Sequence, residues 1–102
     1  MYITLTSRRP YADQSRKLDT FLAGFLWRFE RQPGVVAIYH YLRTQQGEDV
    51  TVVIWESQEA VQSYTAGTLF QEAQDIEKEL HLPTTREGYP LDYASSGTAA
   101  KE

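Results

Sequence analysis

The chain has 102 residues, with 10 Lys or Arg against 14 Asp or Glu and a formal net charge of −4, so one domain with a modest core is expected, and the scattered basic residues argue against a nucleic-acid grip, which needs a basic stripe. There is no cysteine, which excludes disulfides, thiolate catalysis and cysteine metal sites; with His40 and His81 as the only histidines and no H-x-x-x-H or H-x-x-E-H spacing, no metal site is expected either. The opening MYITLTSRRP lacks the charged-then-apolar pattern of a signal peptide and no apolar run approaches the ~20 residues of a membrane span, so the expected location is the cytoplasm, with no membrane partner.

Residues 2–8, YITLTSR, alternate with period two: Ile3 and Leu5 point one way, Tyr2, Thr4 and Thr6 the other. That predicts a strand, ended by Pro10. Residues 13–31 predict a helix, because Leu18, Phe21, Leu22, Phe25 and Phe29 form one stripe of a 3.6-residue period. Gln32-Pro33-Gly34 stops it. Residues 35–43, VVAIYHYLR, and 50–56, VTVVIWE, predict two further strands, joined by the hairpin-length loop TQQGED with Gly47 available for a positive φ. Both strands are apolar on both faces in their middles, the mark of a strand covered on each side.

Ser57 is placed to cap a following helix, which Ala66-Gly67-Thr68 interrupts before a second segment over 69–81. The mixed charges of EAQDIEKEL read as a solvated face. Residues 84–93 predict a weaker strand, which Pro90 places at an edge or on a bulge. Residues 94–102, ASSGTAAKE, have no apolar anchor and read as a disordered tail, so the domain is expected over 1–93. The order is β-α-β-β-α-β, an α+β, ferredoxin-like antiparallel arrangement. Its two helices cover one face of the sheet. A second copy of the chain is expected to cover the other, giving a homodimer through the sheet faces. Aromatic residues make up 13% of the chain, which fits a large apolar interface, an aromatic-lined pocket, or both.

Gln32-Pro33-Gly34-Val35 after an amphipathic helix, a tyrosine-rich strand, Val53-Ile54-Trp55-Glu56-Ser57-Gln58-Glu59-Ala60 opening a helix, and Phe70-Gln71 in its continuation together resemble the antibiotic biosynthesis monooxygenase domain of the dimeric α+β barrel superfamily. The resemblance spans roughly residues 1–93. It implies two subunits packed sheet to sheet, each with a pocket between its sheet and its helices. It also implies cofactor-free oxidation of an electron-rich aromatic or polycyclic phenol: the substrate loses a proton and its carbanion reacts directly with oxygen. The domain also occurs in non-catalytic binding proteins and in haem-degrading enzymes. The haem-degrading branch has an asparagine late in strand one, a tryptophan in the second helix region and a histidine ten residues on. The matching positions here are Ser7, Tyr64 and Gln74. All three depart, and glutamine is no ordinary haem ligand.

The candidate residues follow. Tyr64 and His40 are the candidate catalytic groups; Ser7, Trp55, Phe70 and Gln74 are the candidate substrate-pocket residues. Period two sends Tyr39 and Tyr41 to one face and His40 to the other, so the three cannot form one cluster. The sequence leaves open which face meets the pocket. Trp55 also reads as a core residue whose indole N–H needs a partner, and His81 and Arg86 read as basic residues near helix and strand ends.

Overall fold

A computed structural model describes residues 1–43, 47–93 and 95 of the chain. Among these residues, β1 (Tyr2–Arg8), β2 (Val35–Arg43), β3 (Glu48–Trp55) and β4 (Thr84–Pro90) form one antiparallel sheet in the order β2-β3-β1-β4. α1 (Ser15–Phe29) links β1 to β2 after a 3-10 turn over Ala12–Gln14; α2 (Gln58–Thr65) and α3 (Thr68–Glu79) link β3 to β4. The α+β, ferredoxin-like arrangement is the expected one. No helix of the described residues is long and apolar enough to cross a membrane.

Local chemistry sets the boundaries. α1 buries Leu18, Leu22, Phe25 and Phe29 of the predicted stripe and leaves Phe21 partly buried at its edge. It starts two residues later than the periodicity suggests, because residues 12–14 take the tighter turn first. At Gly34 the backbone adopts φ +86°, and a Cβ there would lie 2.4 Å from Cβ of Ala60; only glycine lets this turn pass against α2. Ser57 caps α2 as expected, accepting from the N–H of Ala60 at 3.2 Å. α3 ends with His81 at φ 52°. There the N–H of Leu82 donates to the Glu77 carbonyl at 2.9 Å and that of His81 to Lys78 at 3.2 Å, the paired bonds of a left-handed helix terminus usually built on glycine. Gly47 takes the anticipated positive φ, +67°. The rest of that turn, 44–46, and the expected tail apart from Ser95 lie outside the described residues.

The strand register assigns the faces, since residues opposite one another share a side. Tyr2, Thr4, Thr6 and Arg8 lie with Asp49, Thr51, Val53 and Trp55, and with Ile38 and His40, on one face. That face meets the helices: Val53 and Trp55 join Leu18, Leu22, Phe25, Phe29, Leu69, Ala73, Leu80 and Leu82 in the core. Ile3 and Leu5 lie on the other face, with Val52, Ile54, Tyr39 and Tyr89.

The expectation that strands two and three are both covered on each face divides. β3 is central and largely buried. β2 is an edge strand within the chain, with Val36, Tyr39, Tyr41 and Leu42 exposed. An apolar run reports a preference for burial and does not say whether the same chain supplies the cover.

Candidate functional site

A cavity of about 260 Å³ opens between the helix-side face of the sheet and the helices. Its position follows from side-chain size. The β1 row Tyr2, Thr4, Thr6 and Arg8 has small threonines in its middle, so the helices leave a hollow over them. One wall is aromatic. Tyr64 of α2 packs 4.6 Å from the ring of Phe29, 5.5 Å from Trp55 and 5.3 Å from Phe70, centroid to centroid. Phe29 also lies 5.7 Å from Trp55 and 5.4 Å from Phe25. These are the offset and edge-on separations at which aromatic rings attract. Trp55 is buried and donates its indole N–H to Thr4 Oγ1 at 2.9 Å, which supplies the partner the sequence required.

The opposite wall is charged. Arg8 and Arg86 line it, and Glu77 of α3 is their shared partner: Arg8 Nε donates to its Oε2 at 2.8 Å. Arg86 of β4 grips both oxygens, Nη1 to Oε1 at 2.9 Å and Nη2 to Oε2 at 2.5 Å. The Arg8 and Glu77 side chains are only 4% and 9% exposed. The Arg86 guanidinium lies 5.0 Å above the ring of Phe70, so the charged and aromatic walls touch. With both oxygens occupied, Glu77 is committed to the arginines and is not free to act as a base.

Tyr64 stands between the walls. Burial pushes its phenol well above the ordinary tyrosine value, because the phenolate would be poorly solvated; the positive charges of Arg86 and Arg8 pull the other way and offset only part of this. At neutral pH the group is therefore a hydroxyl that can donate a hydrogen bond.

The structure gathers some of the sequence candidates and separates others. Tyr64, Trp55 and Phe70 line the cavity. Ser7 does not: it pairs with Val50 and Thr85 on the opposite face of the sheet, one residue out of phase with Thr6 and Arg8. Gln74 is exposed on the outer side of α3, next to the fully buried Ala73, because the helix turns about 100° per residue. His40 shares the helix-side face but lies beyond the cavity. Its Nδ1 is 3.0 Å from Thr51 Oγ1, a wall residue, and its Nε2 is 3.3 Å from Asp49 Oδ1. It reaches the cavity only through Thr51. Among the described residues, no group of three or more metal-ligating side chains is placed to hold an ion.

Arg8, Glu77 and Arg86 are the residues that sequence reasoning did not assign to the site. The mixed charges around Glu77 predict a solvated face, yet its side chain is buried. The signal against that was its spacing: Leu69, Ala73 and Glu77 fall at i, i+4 and i+8, and all three are buried. Arg8 continues the Tyr2, Thr4, Thr6 alternation, and Arg86 pairs with Thr6 across the sheet.

A four-stranded antiparallel sheet with a cavity between it and its helices is an α+β, ferredoxin-like architecture, and several solved structures share it. The chain superimposes on a protein from Deinococcus radiodurans named as a candidate antibiotic biosynthesis monooxygenase, with a TM-score of 0.86, 17% identity, and 96% of this chain and 99% of that one covered. It also matches a mutant of SnoaB from Streptomyces nogalater, named a cofactor-independent oxygenase, with a TM-score of 0.74, 16% identity, and coverage of 94% and 98%. A protein from Mycobacterium tuberculosis matches with a TM-score of 0.79 and 20% identity, over 93% of this chain and all of the other. No protein-family model matches the chain, and no curated protein matches it in sequence. At these identities the likeness establishes the fold, which is that of antibiotic biosynthesis monooxygenase domains.

Proposed function

We propose that the protein is an oxygenase that uses its cavity to oxidise a hydroxylated aromatic small molecule without a cofactor. The observation that carries this reading is the Tyr64 hydroxyl, held protonated between an aromatic wall and a pair of arginines. The rings accept a flat, electron-rich substrate, and the guanidiniums favour the anion that it forms on losing a proton. The naming of SnoaB as a cofactor-independent oxygenase supports the same reading.

In this scheme a ring CH2 beside a phenol or ketone loses a proton to water at the cavity mouth. The carbanion forms a C–O bond to O2, and the electron pair ends on the outer oxygen as a peroxide anion. The peroxide takes up a proton and loses water, leaving a ketone. In sum CH2 + O2 gives C=O + H2O. Tyr64 donates a hydrogen bond to the substrate oxygen or the peroxide and orients it. His40, which lies outside the cavity, takes no part.

The proposal includes a homodimer through the exposed sheet face. Ile3, Leu5, Val52 and Ile54 of that face are only partly buried, and Tyr39 and Tyr89 are exposed; apolar surface of this kind on a small chain calls for a cover.

The test is oxygen uptake with anthrone and with 1-naphthol, whose keto tautomer carries the ring CH2, without added metal or flavin, and with the quinone and water as products. Tyr64→Phe should slow turnover by ~10²–10³-fold, the loss of one positioned hydrogen-bond donor, with an unchanged dimer. Trp55→Ala should destabilise by ~3–5 kcal/mol through the void it leaves. Binding of these compounds without oxygen consumption would replace the oxygenase with a non-catalytic binding protein.

A further inference from the structure

We propose that the cavity takes an aromatic carboxylic acid, with the carboxylate held on the outer edge of the Arg8 guanidinium. The inference rests on the aromatic-ligand reading of the cavity given above and adds the charge of the ligand. Its basis is a mismatch within the Arg8–Glu77–Arg86 group. Within the group two cations share one anion, and the only other buried carboxylate nearby among the described residues, Asp49, stands opposite Arg8 in the ladder without bonding to it. Arg86 uses Nη1 and Nη2 on Glu77, whereas Arg8 uses only Nε. Among the described residues, Nη1 and Nη2 of Arg8 have no hydrogen-bond partner, although the side chain is 4% exposed and lines the cavity.

These two nitrogens are open to the cavity rather than sealed in the core, and a planar pair of parallel N–H groups matches the two oxygens of a carboxylate. The neighbouring acids do not fill this role. Asp49 stands opposite Arg8 in the ladder, but its carboxylate approaches His40 and borders a second hollow beside Pro10 and Ser15; it forms no ion pair with Arg8. Glu87 borders the cavity, yet its side chain belongs to the Leu5 face and accepts from the Tyr89 hydroxyl at 2.9 Å. A ligand carboxylate would occupy the free edge of Arg8 while its ring lay against Tyr64 and Phe70. At about 260 Å³ the cavity sits just below the usual ~300–1,000 Å³ of small-molecule sites, which favours a compact bicyclic acid.

The experiment measures calorimetric affinities of the full chain for 1-hydroxy-2-naphthoic acid, its methyl ester and 1-naphthol at neutral pH. The acid should bind ~10–100-fold more tightly than the ester, the range expected for charge-assisted hydrogen bonds. In Arg8→Met, which leaves the Arg86–Glu77 pair intact, that preference should vanish while ester affinity holds. Arg8→Lys, which keeps the charge and loses the fork, should retain only part of it. Equal affinity for acid and ester in the parent protein overturns the inference, as does a preference that survives in folded Arg8→Met. Naphthol binding as tightly as the acid also overturns it, because a single hydroxyl would then suffice. If ester and naphthol bind without any acid preference, the aromatic-ligand reading stands and this inference alone falls. If none of the three binds, both fall. Should Arg8→Met fail to fold, the acid-to-ester ratio of the parent and of Arg8→Lys decides.

Discussion

Glu77→Ala isolates the energetics of the charged wall. The substitution removes three charge-assisted hydrogen bonds, but the larger effect is on what remains. Arg86 is 32% exposed and can turn its head group to water. Arg8, at 4%, cannot leave without carrying the end of β1 with it. The cost is therefore that of one stranded buried cation, ~3–5 kcal/mol, against a total stability of ~5–15 kcal/mol for a domain of this kind. At roughly 4–8 °C per kcal/mol for a chain near this size, the thermal midpoint followed by circular dichroism should drop by tens of degrees. Glu72→Ala is the matched control. Glu72 receives a two-pronged grip from Arg28 at 2.9 and 3.0 Å, but that pair is 44–46% exposed, and water screens it. Its loss should barely move the midpoint. The double variant Arg8→Met/Glu77→Leu should recover much of the Glu77→Ala loss, because no buried charge is left unpaired. A Glu77→Ala midpoint as little changed as that of Glu72→Ala would refute the reasoning, since it would mean that Arg8 is solvated through the cavity.

The hydroxyl of Tyr64 is held protonated by burial, so its folded-state value lies above the unfolded one; the stability this contributes is fully present below about pH 10 and is lost as pH rises through the folded value. Thermal midpoints should fall above that pH, and less steeply in Tyr64→Phe. His81→Gly should stabilise by about 0.5–1 kcal/mol in urea unfolding, because His81 occupies a left-handed helix terminus at φ 52° where a side chain is penalised. Gly34→Ala should destabilise by more than ~2 kcal/mol, from the φ of +86° and the 2.4 Å approach to Ala60. In sedimentation the chain should run at twice its 11.7 kDa mass, and Leu5→Arg on the open sheet face should shift it toward monomer with the fold retained.

The elements were legible in the sequence because each carried its own punctuation. The stripe from Leu18 to Phe29, the stop at Pro33-Gly34, the cap at Ser57 and the break at Gly67 are local devices, and local physics decides them. The ferredoxin-like order follows from their sequence. The site was only half legible. Trp55, Tyr64 and Phe70 line the cavity because large aromatic residues on the buried side of a strand or helix pack inward; Tyr64 and Phe70, like Ser7 and Gln74, are legible only through the resemblance. Ser7 and Gln74 were placed by analogy of position, and one residue of phase in a strand or 100° of helical turn moved each out of the cavity. The charged wall was missed because its parts are far apart in the chain. Arg8 and Glu77 are separated by 69 positions, and a buried ion cluster gives each member the appearance of an ordinary surface charge until the partners are seen together.

The two faces of the sheet explain why the polar group lies inside. Along β1 the more apolar row, Ile3 and Leu5, points away from the helices, while Thr4, Thr6 and Arg8 point toward them. A sheet designed only to bury its own core would show the reverse arrangement. Threonines above the helices leave volume where leucines would fill it, and that volume is the cavity. An arginine at the end of the same row then needs a counter-charge that a close-packed core would not tolerate, and α3 supplies Glu77 from within its apolar stripe. The apolar row given up by the interior becomes surface, and it is this surface that the proposed homodimer would cover. A cavity on one face and a sticky sheet on the other are thus two consequences of one alternation. A β1 variant with the two rows exchanged would be expected to lose both together: it would fill the hollow, strand the charges and remove the surface proposed to hold two chains together.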